Sequence, residues 1–333
     1  MHGQFFETRL CRRAFIHSEV LRRPDASEER SHLLMEGCGN KAKMEKIRVK
    51  AYAKINLALD VLGKREDGYH ELEMVMQSIS LHDELYFFPA RILSLKTNER
   101  RLPTDGRNLI IRAAEKLIEY TGRRKGARII LHKNIPVGAG LGGGSADAAA
   151  ALVGLNRLWD LNLPITTLSK LAATLGADVP FFLTGGTVLA RGIGERLTPL
   201  PPLSSRSVFL AKPPFTVSTA LVYKKLDLTP EDRHPEMEKV LSILEQGEFL
   251  PITKYWGNIL EKVTLRLYPE IQEVMDWLTG LGFPVRMTGS GPTLFLFRPT
   301  PDRCFTAIDA KLRDRGWWTY EGTFVDKGLV IAD

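Results

Sequence analysis

The stretch Pro136-Val-Gly-Ala-Gly-Leu-Gly-Gly-Gly-Ser-Ala146 decides how this chain is interpreted. Five glycines stand between positions 138 and 144, so successive backbone N–H groups can turn into one concavity with no side chain in the way. Strong helix formers follow from Ala146 to Leu161, and Ser145 stands where a helix N-cap is expected. A backbone nest ahead of a helix N-terminus binds phosphate. The predicted phosphate-binding residues are Pro136, Val137, Gly138, Ala139, Gly140, Leu141, Gly142, Gly143, Gly144, Ser145 and Ala146.

Three named motifs share part of this pattern, and none of them fits fully. Gly138, Gly140 and Gly143 satisfy the GxGxxG fingerprint of dinucleotide-binding folds. However, Pro136 interrupts the strand that should lead into the first glycine, and repeated βαβ units are missing. The GxxxxG spacing from Gly138 to Gly143 is not followed by the lysine of a P-loop, and neither HRD nor DFG of the protein kinases occurs. A glycine hinge without a ligand is the remaining alternative.

Apolar residues alternate from Ile47 to Val61, which predicts one strand, or two strands joined by a bend. Because successive side chains of a strand point to opposite faces, one face is predicted to carry Lys54, Asn56, Ala58 and Asp60. Further strands are predicted at 72–81, 128–132, 208–211, 285–287 and 294–297. Helices are predicted at 109–120, 146–161, 167–175, 269–278 and 303–315, the first capped by Asn108 and stopped by Gly122.

The chain has 333 residues, which exceeds the usual size of one domain, so two domains are expected. The proline-rich stretch Pro199–Ser205 is the predicted boundary, which gives a first domain at 44–200 and a second at 201–333. In the second domain, the order of strands and helices predicts an α+β arrangement with helices on an antiparallel sheet. Residues 1–43 lack this patterning and are interpreted as a disordered extension or a mis-assigned start.

The composition is 44% hydrophobic and 26% charged, and no apolar run approaches the ~20 residues that a membrane span needs. The formal net charge of +7 suits an acidic partner such as a phosphorylated metabolite. No basic cluster interleaved with aromatic residues indicates a nucleic-acid surface. Three cysteines without a CxxC pair are typical of a reducing compartment. We expect a cytoplasmic monomer or homodimer with a small-molecule substrate and with no nucleic-acid or membrane partner.

The glycine loop resembles the PxxxGLGGGS signature of the GHMP kinases, named for galactose, homoserine, mevalonate and phosphomevalonate kinases. Four more segments occur in the order and spacing of one member of that family: Ala53-Lys-Ile-Asn-Leu57, Asp67-Gly-Tyr-His70, Leu175-Gly-Ala-Asp-Val-Pro180 and Thr288-Gly-Ser-Gly-Pro292. The likeness runs from about Met44 to near the C-terminus. It departs at Tyr52, where many members have proline, and at Ala146, which replaces a second serine. The resemblance implies a two-domain α+β fold with the active site in the interdomain cleft.

The resemblance also implies a reaction, the transfer of the γ-phosphoryl group of ATP, with Mg²⁺, to a hydroxyl group. Asp178 is then the base that takes the hydroxyl proton, and Lys54 keeps Asp178 ionised and offsets charge on the phosphoryl group. Ser145 is the one candidate ligand for Mg²⁺. Without the resemblance, Asp178 is better interpreted as the cap of a helix that Pro180 begins, and Lys54 as a solvated lysine.

The acceptor that the resemblance implies is a cytidine-diphosphate-linked methylerythritol. Asn56 would hydrogen-bond its polyol portion. Tyr69, His70 and Tyr223 would hold the cytosine by stacking and hydrogen bonds. A lone tyrosine or histidine in a turn is more often packing than recognition, and Tyr223 lies in surroundings that match the family loosely.

Two other functions stay open at this point. The chain could be another kinase of the same family, of the homoserine or mevalonate type, although the AKINL and DGYH segments argue against it. It could also be a non-catalytic nucleotide-binding protein whose basic charge engages nucleic acid. The presence of both Lys54 and Asp178 argues against lost catalysis.

Overall fold

The computed structural model describes residues 46–123, 125–203, 205–298 and 305–332. The extension predicted at 1–43 and the three cysteines lie outside these ranges. Within them, the chain builds two β-sheets with helices packed on both, which confirms the α+β class. In this part of the chain no helix combines the length and the apolar character needed to cross a membrane.

In the described residues, the first sheet has seven strands and is built on two long neighbours, β1 (Ile47–Lys64) and β2 (His70–Ala90), which pair antiparallel. Its other strands are β3 (Ser94–Thr97), β4 (Gly126–His132), β5 (Thr187–Gly192), β6 (Arg196–Pro199) and β11 (Leu329–Ala332). The order is β11-β1-β2-β4-β3, while β5 pairs with β2 and β6 with β5. Only the short β3–β4 pair is parallel among these described strands.

A β-bulge at Leu57 changes which face of β1 each later side chain occupies. The register of β1 against β2 shifts between Asn56 and Ala58. Lys54 and Asn56 share one face, as predicted, and contact each other there. Asp60 lies on the opposite face, where its Oδ1 is 2.6 Å from Nδ1 of His234. The prediction that the positions after Asn56 continue the same face is wrong, because one extra residue in a strand reverses its alternation.

Among the described residues, the helices that pack on the first sheet include α1 (Leu109–Thr121), α2 (Gly143–Leu158), α3 (Ile165–Leu175) and α4 (Val179–Thr184). The predicted cap of α1 is confirmed, since the Asn108 side chain accepts the N–H of Ile110. In contrast, α2 begins at Gly143 with Gly142 as N-cap, so the prediction that Ser145 caps this helix is wrong. Glycine has no Cβ, and the turn into the helix is therefore made by the glycines themselves.

Helix α2 lies very close to the sheet because its inner face is built from small residues. Its buried residues include a continuous run of alanines, Ala148–Ala151. A Cβ added to Gly154 would lie 2.4 Å from the ring of Phe87 on β2. The helix that follows the glycine loop is therefore seated directly on the longest strand of the sheet.

The second sheet has four antiparallel strands within the described ranges, in the order β10-β7-β9-β8. They are β7 (Ser207–Lys212), β8 (Val285–Met287), β9 (Leu294–Leu296) and β10 (Trp318–Thr323). The helices that follow β7 in the described chain are α5 (Thr219–Lys224), α6 (Met237–Glu245), a 3-10 turn (Leu250–Lys254), α7 (Glu261–Leu267), α8 (Pro269–Gly280) and α9 (Thr306–Asp314). The helix predicted at 303–315 is confirmed within the described residues.

The two sheets share a hydrophobic core. Ile55 and Leu57 of β1 pack in one cluster with Val208 and Leu210 of β7. After the second sheet is complete, β11 returns to the first sheet and pairs with β1. The division of the chain near residue 200 stays a prediction, and the last strand is placed in the first sheet rather than the second.

Candidate active site

A cleft of about 1060 Å³ is lined by the glycine loop, by residues of β1 and β2, by α5, and by Gly289 and Ser290 of the 288–292 loop. All the residues predicted for the site line this cleft except Ala146, which is buried inside α2. The folded chain therefore brings together Lys54, Asn56, Tyr69, His70, residues 136–145, Asp178 and Tyr223.

The glycine loop takes a shape that other residues cannot adopt without strain. Gly138, Gly140 and Gly142 have φ of +64°, +75° and +72°. A Cβ on Gly140 would lie 2.5 Å from the carbonyl oxygen of Thr288, and one on Gly142 would lie 2.6 Å from the ring of Phe182. The first N–H groups of α2 have no partner within the helix and stand at its positive end. The loop and the helix N-terminus together suit an anion.

Both halves of the fold hold the loop in place. The backbone N–H of Lys54 donates to the carbonyl of Leu141 at 3.0 Å. From the 288–292 loop, the hydroxyl of Thr288 donates to the carbonyl of Gly140 at 3.4 Å. The same Thr288 oxygen accepts the backbone N–H of Asn56 at 3.0 Å. Thr288 thus joins β1, the glycine loop and the 288–292 loop at one point.

Lys54 and Asp178 form an ion pair at the edge of the cleft. Nζ of Lys54 lies 3.9 Å from Oδ2 of Asp178 and donates to Oδ1 of Asn56 at 2.7 Å. Burial lowers the pKa of Lys54, and the Asp178 carboxylate opposes this change. Asp178 stands at the N-cap position of α4 but makes no capping hydrogen bond with its side chain. Its carboxylate is about one third exposed, so it can receive a proton from a hydroxyl group in the cleft.

Aromatic residues line another part of the cleft. The rings of His70 and Tyr223 have centroids 5.2 Å apart and are tilted by 35°. Burial and the nearby Lys64 cation lower the pKa of His70, so this imidazole is neutral at neutral pH. Burial and the charge of Asp178 raise the pKa of Tyr223. Tyr69 is 61% exposed and stands at the rim. A flat base has two rings to contact here, with a third ring at the entrance.

Sequence reasoning missed a second set of lining residues. The segment before α1 contributes Leu102, Pro103, Arg107, Asn108 and Leu109. The sequence predicts Asn108 as a helix cap and gives no sign that it also lines the cleft. Leu109 is 3.8 Å from the position that a Cβ on Gly144 would take, so this segment adjoins the start of α2. Lys133 and Asp147 also line the cleft, and their only sequence signal is their position just outside the glycine loop.

The part of the chain that the structure describes holds no dedicated metal cage. In the described residues, no group of three or more His, Cys, Asp or Glu side chains could hold a metal ion. The hydroxyl of Ser145 lies in the first turn of α2 and lines the cleft. A hydroxyl oxygen is a ligand of the kind that Mg²⁺ takes, and Mg²⁺ keeps most of its other ligands from phosphate and water.

Comparisons with known proteins agree with this architecture. Residues 108–186 match the model of the GHMP kinases N terminal domain, and residues 244–310 match that of the GHMP kinases C terminal domain. A 4-diphosphocytidyl-2-C-methyl-D-erythritol kinase from Lachnospira eligens is 43% identical over 82% of this chain and 96% of its own length. An enzyme of the same name from Pelotomaculum thermopropionicum is 50% identical over 74% of this chain and 86% of its own length.

Solved structures show the same fold. A crystal structure of 4-(cytidine 5'-diphospho)-2C-methyl-D-erythritol kinase is 41% identical, with a TM-score of 0.68 over 83% of this chain and 98% of its own. A homoserine kinase from Cytophaga hutchinsonii has a TM-score of 0.69 over 89% of this chain and 100% of its own at 21% identity, which shows the fold alone.

The fold has two sheets, a glycine loop with positive φ angles, and a cleft that this loop lines. As predicted, the chain is a GHMP kinase. Within that class, the chain belongs to the 4-diphosphocytidyl-2-C-methyl-D-erythritol kinase family.

Proposed function

We propose that the protein transfers the γ-phosphoryl group of ATP to the 2-hydroxyl of 4-diphosphocytidyl-2-C-methyl-D-erythritol, giving the 2-phosphate and ADP. This reaction is a step of the non-mevalonate route to isoprenoid precursors. The observation that carries the proposal is the Lys54–Asp178 pair, 3.9 Å apart in a cleft that the glycine loop also lines. The names of relatives 43% and 50% identical to the chain support the choice of acceptor.

The residues at the pair have separate chemical tasks. Asp178 accepts the proton of the 2-hydroxyl as its oxygen attacks the γ-phosphorus atom, and the bond from that phosphorus atom to the ADP oxygen breaks. Lys54 stabilises the negative charge that develops on the transferred group. Asn56 orients Lys54, because its Oδ1 accepts a hydrogen bond of 2.7 Å from Nζ of Lys54. Phosphoryl transfer depends mainly on such positioning and charge stabilisation.

The two ends of the cleft suit the two nucleotides. The phosphates of ATP lie on residues 136–145, and its base lies against the segment before α1, where Leu102, Pro103 and Leu109 offer an apolar surface. The cytosine of the acceptor lies against His70 and Tyr223, whose rings are 5.2 Å apart. This placement puts the 2-hydroxyl between the cytosine end and the glycine loop, next to Asp178.

Magnesium fits the donor set at the loop. Ser145 would supply one oxygen ligand, with phosphate and water oxygens as the others. The ion supplies charge neutralisation for the polyphosphate. We place the reaction in the cytoplasm, since three cysteines without a CxxC pair suit a reducing compartment. The protein is expected to act as a monomer or a homodimer.

The test is ADP release by the purified chain with ATP, Mg²⁺ and one acceptor at a time. We expect turnover with 4-diphosphocytidyl-2-C-methyl-D-erythritol and none with homoserine or mevalonate. Turnover of homoserine or mevalonate alone would keep the family fold and refute the acceptor. Binding of ATP without turnover of any acceptor would favour a non-catalytic nucleotide-binding protein.

A further inference from the structure

Three buried ionisable groups meet beneath the glycine loop. Nζ of Lys133 lies 2.5 Å from Oδ2 of Asp83 and 2.6 Å from Oδ2 of Asp147. All three side chains are at most 5% exposed. Burying charged groups costs free energy unless each is paired and hydrogen-bonded. We call these three residues the buried triad, and nothing in the proposed reaction uses them.

The buried triad joins the three elements that surround the loop. Asp83 belongs to β2, Lys133 directly follows β4, and Asp147 lies near the start of α2. Oδ1 of Asp83 also accepts the backbone N–H groups of Asn134 at 2.6 Å and of Ile135 at 2.8 Å. These residues immediately precede the loop, and Asp147 immediately follows it. Asp83 therefore holds the entry of the loop, Asp147 holds its exit, and Lys133 ties the two carboxylates together.

The ammonium group of Lys133 touches the underside of the loop. A Cβ added to Gly143 would lie only 2.8 Å from Nζ of Lys133 and 2.9 Å from Cγ2 of Ile135. Two of the three N–H groups of this ammonium group already donate to carboxyl oxygens. Burial raises the pKa of Asp147 to about 8, although Lys133 opposes the rise. At neutral pH one negative charge in the triad therefore balances the ammonium charge. This arrangement suits a group that supports the loop better than one that neutralises a phosphate.

We propose that the buried triad holds the glycine loop in the shape that binds the phosphates of ATP, with Lys133 as a positioning residue that acts through the loop. A backbone with five glycines in seven residues has many accessible conformations, and ordering it costs conformational entropy. A loop that is already held loses less of this entropy when ATP binds. The inference rests on the proposed phosphate site at residues 136–145.

The experiment measures ATP binding by calorimetry and, separately, KM and kcat with both substrates. Lys133→Met and Asp147→Leu each break the triad and should weaken ATP binding about tenfold, the loss of one charged hydrogen bond. Asp147→Asn keeps an oxygen that accepts from Lys133 and should restore most of that affinity. With ATP saturating, kcat and the KM of the cytidine substrate should stay within about twofold, because the reacting groups are untouched.

A direct role of Lys133 gives the opposite result at Asp147. If the ammonium group itself bound phosphate, Asp147→Leu would release it from a competing carboxylate, and ATP binding would stay the same or become tighter. That outcome would overturn the proposal. Should Lys133→Met or Asp147→Leu fail to fold, Asp83→Asn keeps the size of the side chain but replaces one accepting oxygen by an N–H₂ donor. This donor then faces either the ammonium group of Lys133 or the N–H groups of Asn134 and Ile135. Asp83→Asn should weaken ATP binding about threefold, and an unchanged affinity would refute the proposal.

A general loss of stability is excluded by a control far from the loop. Leu278→Ala removes a buried side chain from the core of the second sheet. It should lower the melting temperature at least as much as Asp147→Leu does and leave ATP binding unchanged. An equal loss of ATP affinity in Leu278→Ala would contradict a specific role of the triad.

ATP binding also separates this inference from the proposed function. A wild-type chain that binds ATP but does not phosphorylate the cytidine compound would refute the proposed acceptor. The variants would still test the triad by calorimetry. A wild-type chain that does not bind ATP would overturn both.

Discussion

Nζ of Lys54 lies 3.9 Å from Oδ2 of Asp178, and the two side chains differ greatly in exposure. Lys54 is 6% exposed and Asp178 is 35% exposed. Lys54 is fixed by Asn56, whereas the carboxylate faces the cleft and makes no capping hydrogen bond. Asp178 offsets the effect of burial on the pKa of Lys54. A fixed cation beside an accessible carboxylate is the arrangement that a base for an alcohol substrate requires.

Asp178→Asn should abolish most of the turnover and leave ATP binding intact. The amide has nearly the same shape but cannot take the hydroxyl proton, so we expect kcat to fall about 10²–10⁴-fold. Steady-state ADP release gives kcat, and calorimetry gives the affinity for ATP. The matched control is Asp276→Asn on the exposed surface of α8, which should match wild type. Full activity of Asp178→Asn would remove Asp178 as the base.

Lys54→Met should lower kcat about 10²-fold, because it removes the cation that stabilises the transferred phosphoryl group. Lys54→Arg should recover little of this rate. The stem of Lys54 passes 3.1 Å from the position of a Cβ on Gly142, and a planar guanidinium does not fit the same narrow slot. Single-turnover assays separate the chemical step from binding. If Lys54→Arg were as active as wild type, the space beside Gly142 would not discriminate between an ammonium and a guanidinium group.

Gly140→Ala should lose ATP affinity about tenfold or more, because the added Cβ would lie 2.5 Å from the carbonyl oxygen of Thr288 and would displace the loop. The matched control is Gly247→Ala, where φ is +74° and no atom lies within 4 Å of the added Cβ. Both variants carry the strain of a left-handed alanine, about 1 kcal/mol. Calorimetry with ATP compares them, and an equal loss in both would show that strain alone matters.

Tyr223→Ala should raise the KM of the cytidine substrate about tenfold and leave the KM of ATP unchanged, since stacking on an aromatic ring contributes about 1–3 kcal/mol per base. Tyr223→Phe should stay close to wild type because it keeps the ring. Tyr120→Ala, at a tyrosine that is 57% exposed on α1, is the control. Should Tyr223→Ala raise the KM of ATP instead, the two nucleotides would have to exchange ends of the cleft.

Glu261→Gln should change how stability depends on pH. Burial raises the pKa of Glu261 to about 7 from an ordinary value of 4.5, while Arg286 and the N–H of Met287 oppose that rise. The folded state thus favours the neutral acid. Its contribution to stability is complete below pH 4.5 and is lost as the pH rises through about 7, on the order of 3 kcal/mol.

Thermal unfolding between pH 4.5 and 8 measures this effect. Wild type should lose stability across that range relative to Glu261→Gln, whose amide oxygen still accepts the N–H of Met287 at the position of the present 2.8 Å bond. Parallel curves for the two proteins would show that Glu261 ionises normally in the folded chain.

Local patterns in the sequence determined most of the elements of this protein. Alternation predicted β1, Asn108 and Gly122 bounded α1, and the run of glycines predicted a turn into a helix. These signals depend only on neighbouring residues, because side-chain direction, capping and glycine's freedom at positive φ are set by the local backbone. The resemblance to the GHMP kinases, carried by five short segments, added the interdomain active site and the roles of Lys54, Asp178 and the substrate-binding residues.

Only the tertiary structure decided which of these residues meet. The bulge at Leu57 moves Asp60 away from the face of Lys54, and its register depends on the partner strand β2. The buried triad joins Asp83 to Lys133 and Asp147, which lie 50 and 64 positions later in the chain. Strand β11 returns to the first sheet after the second sheet is complete. Such contacts arise because the burial of apolar surface brings distant segments of the chain together. A local sequence pattern does not predict which charged side chains are buried between those segments.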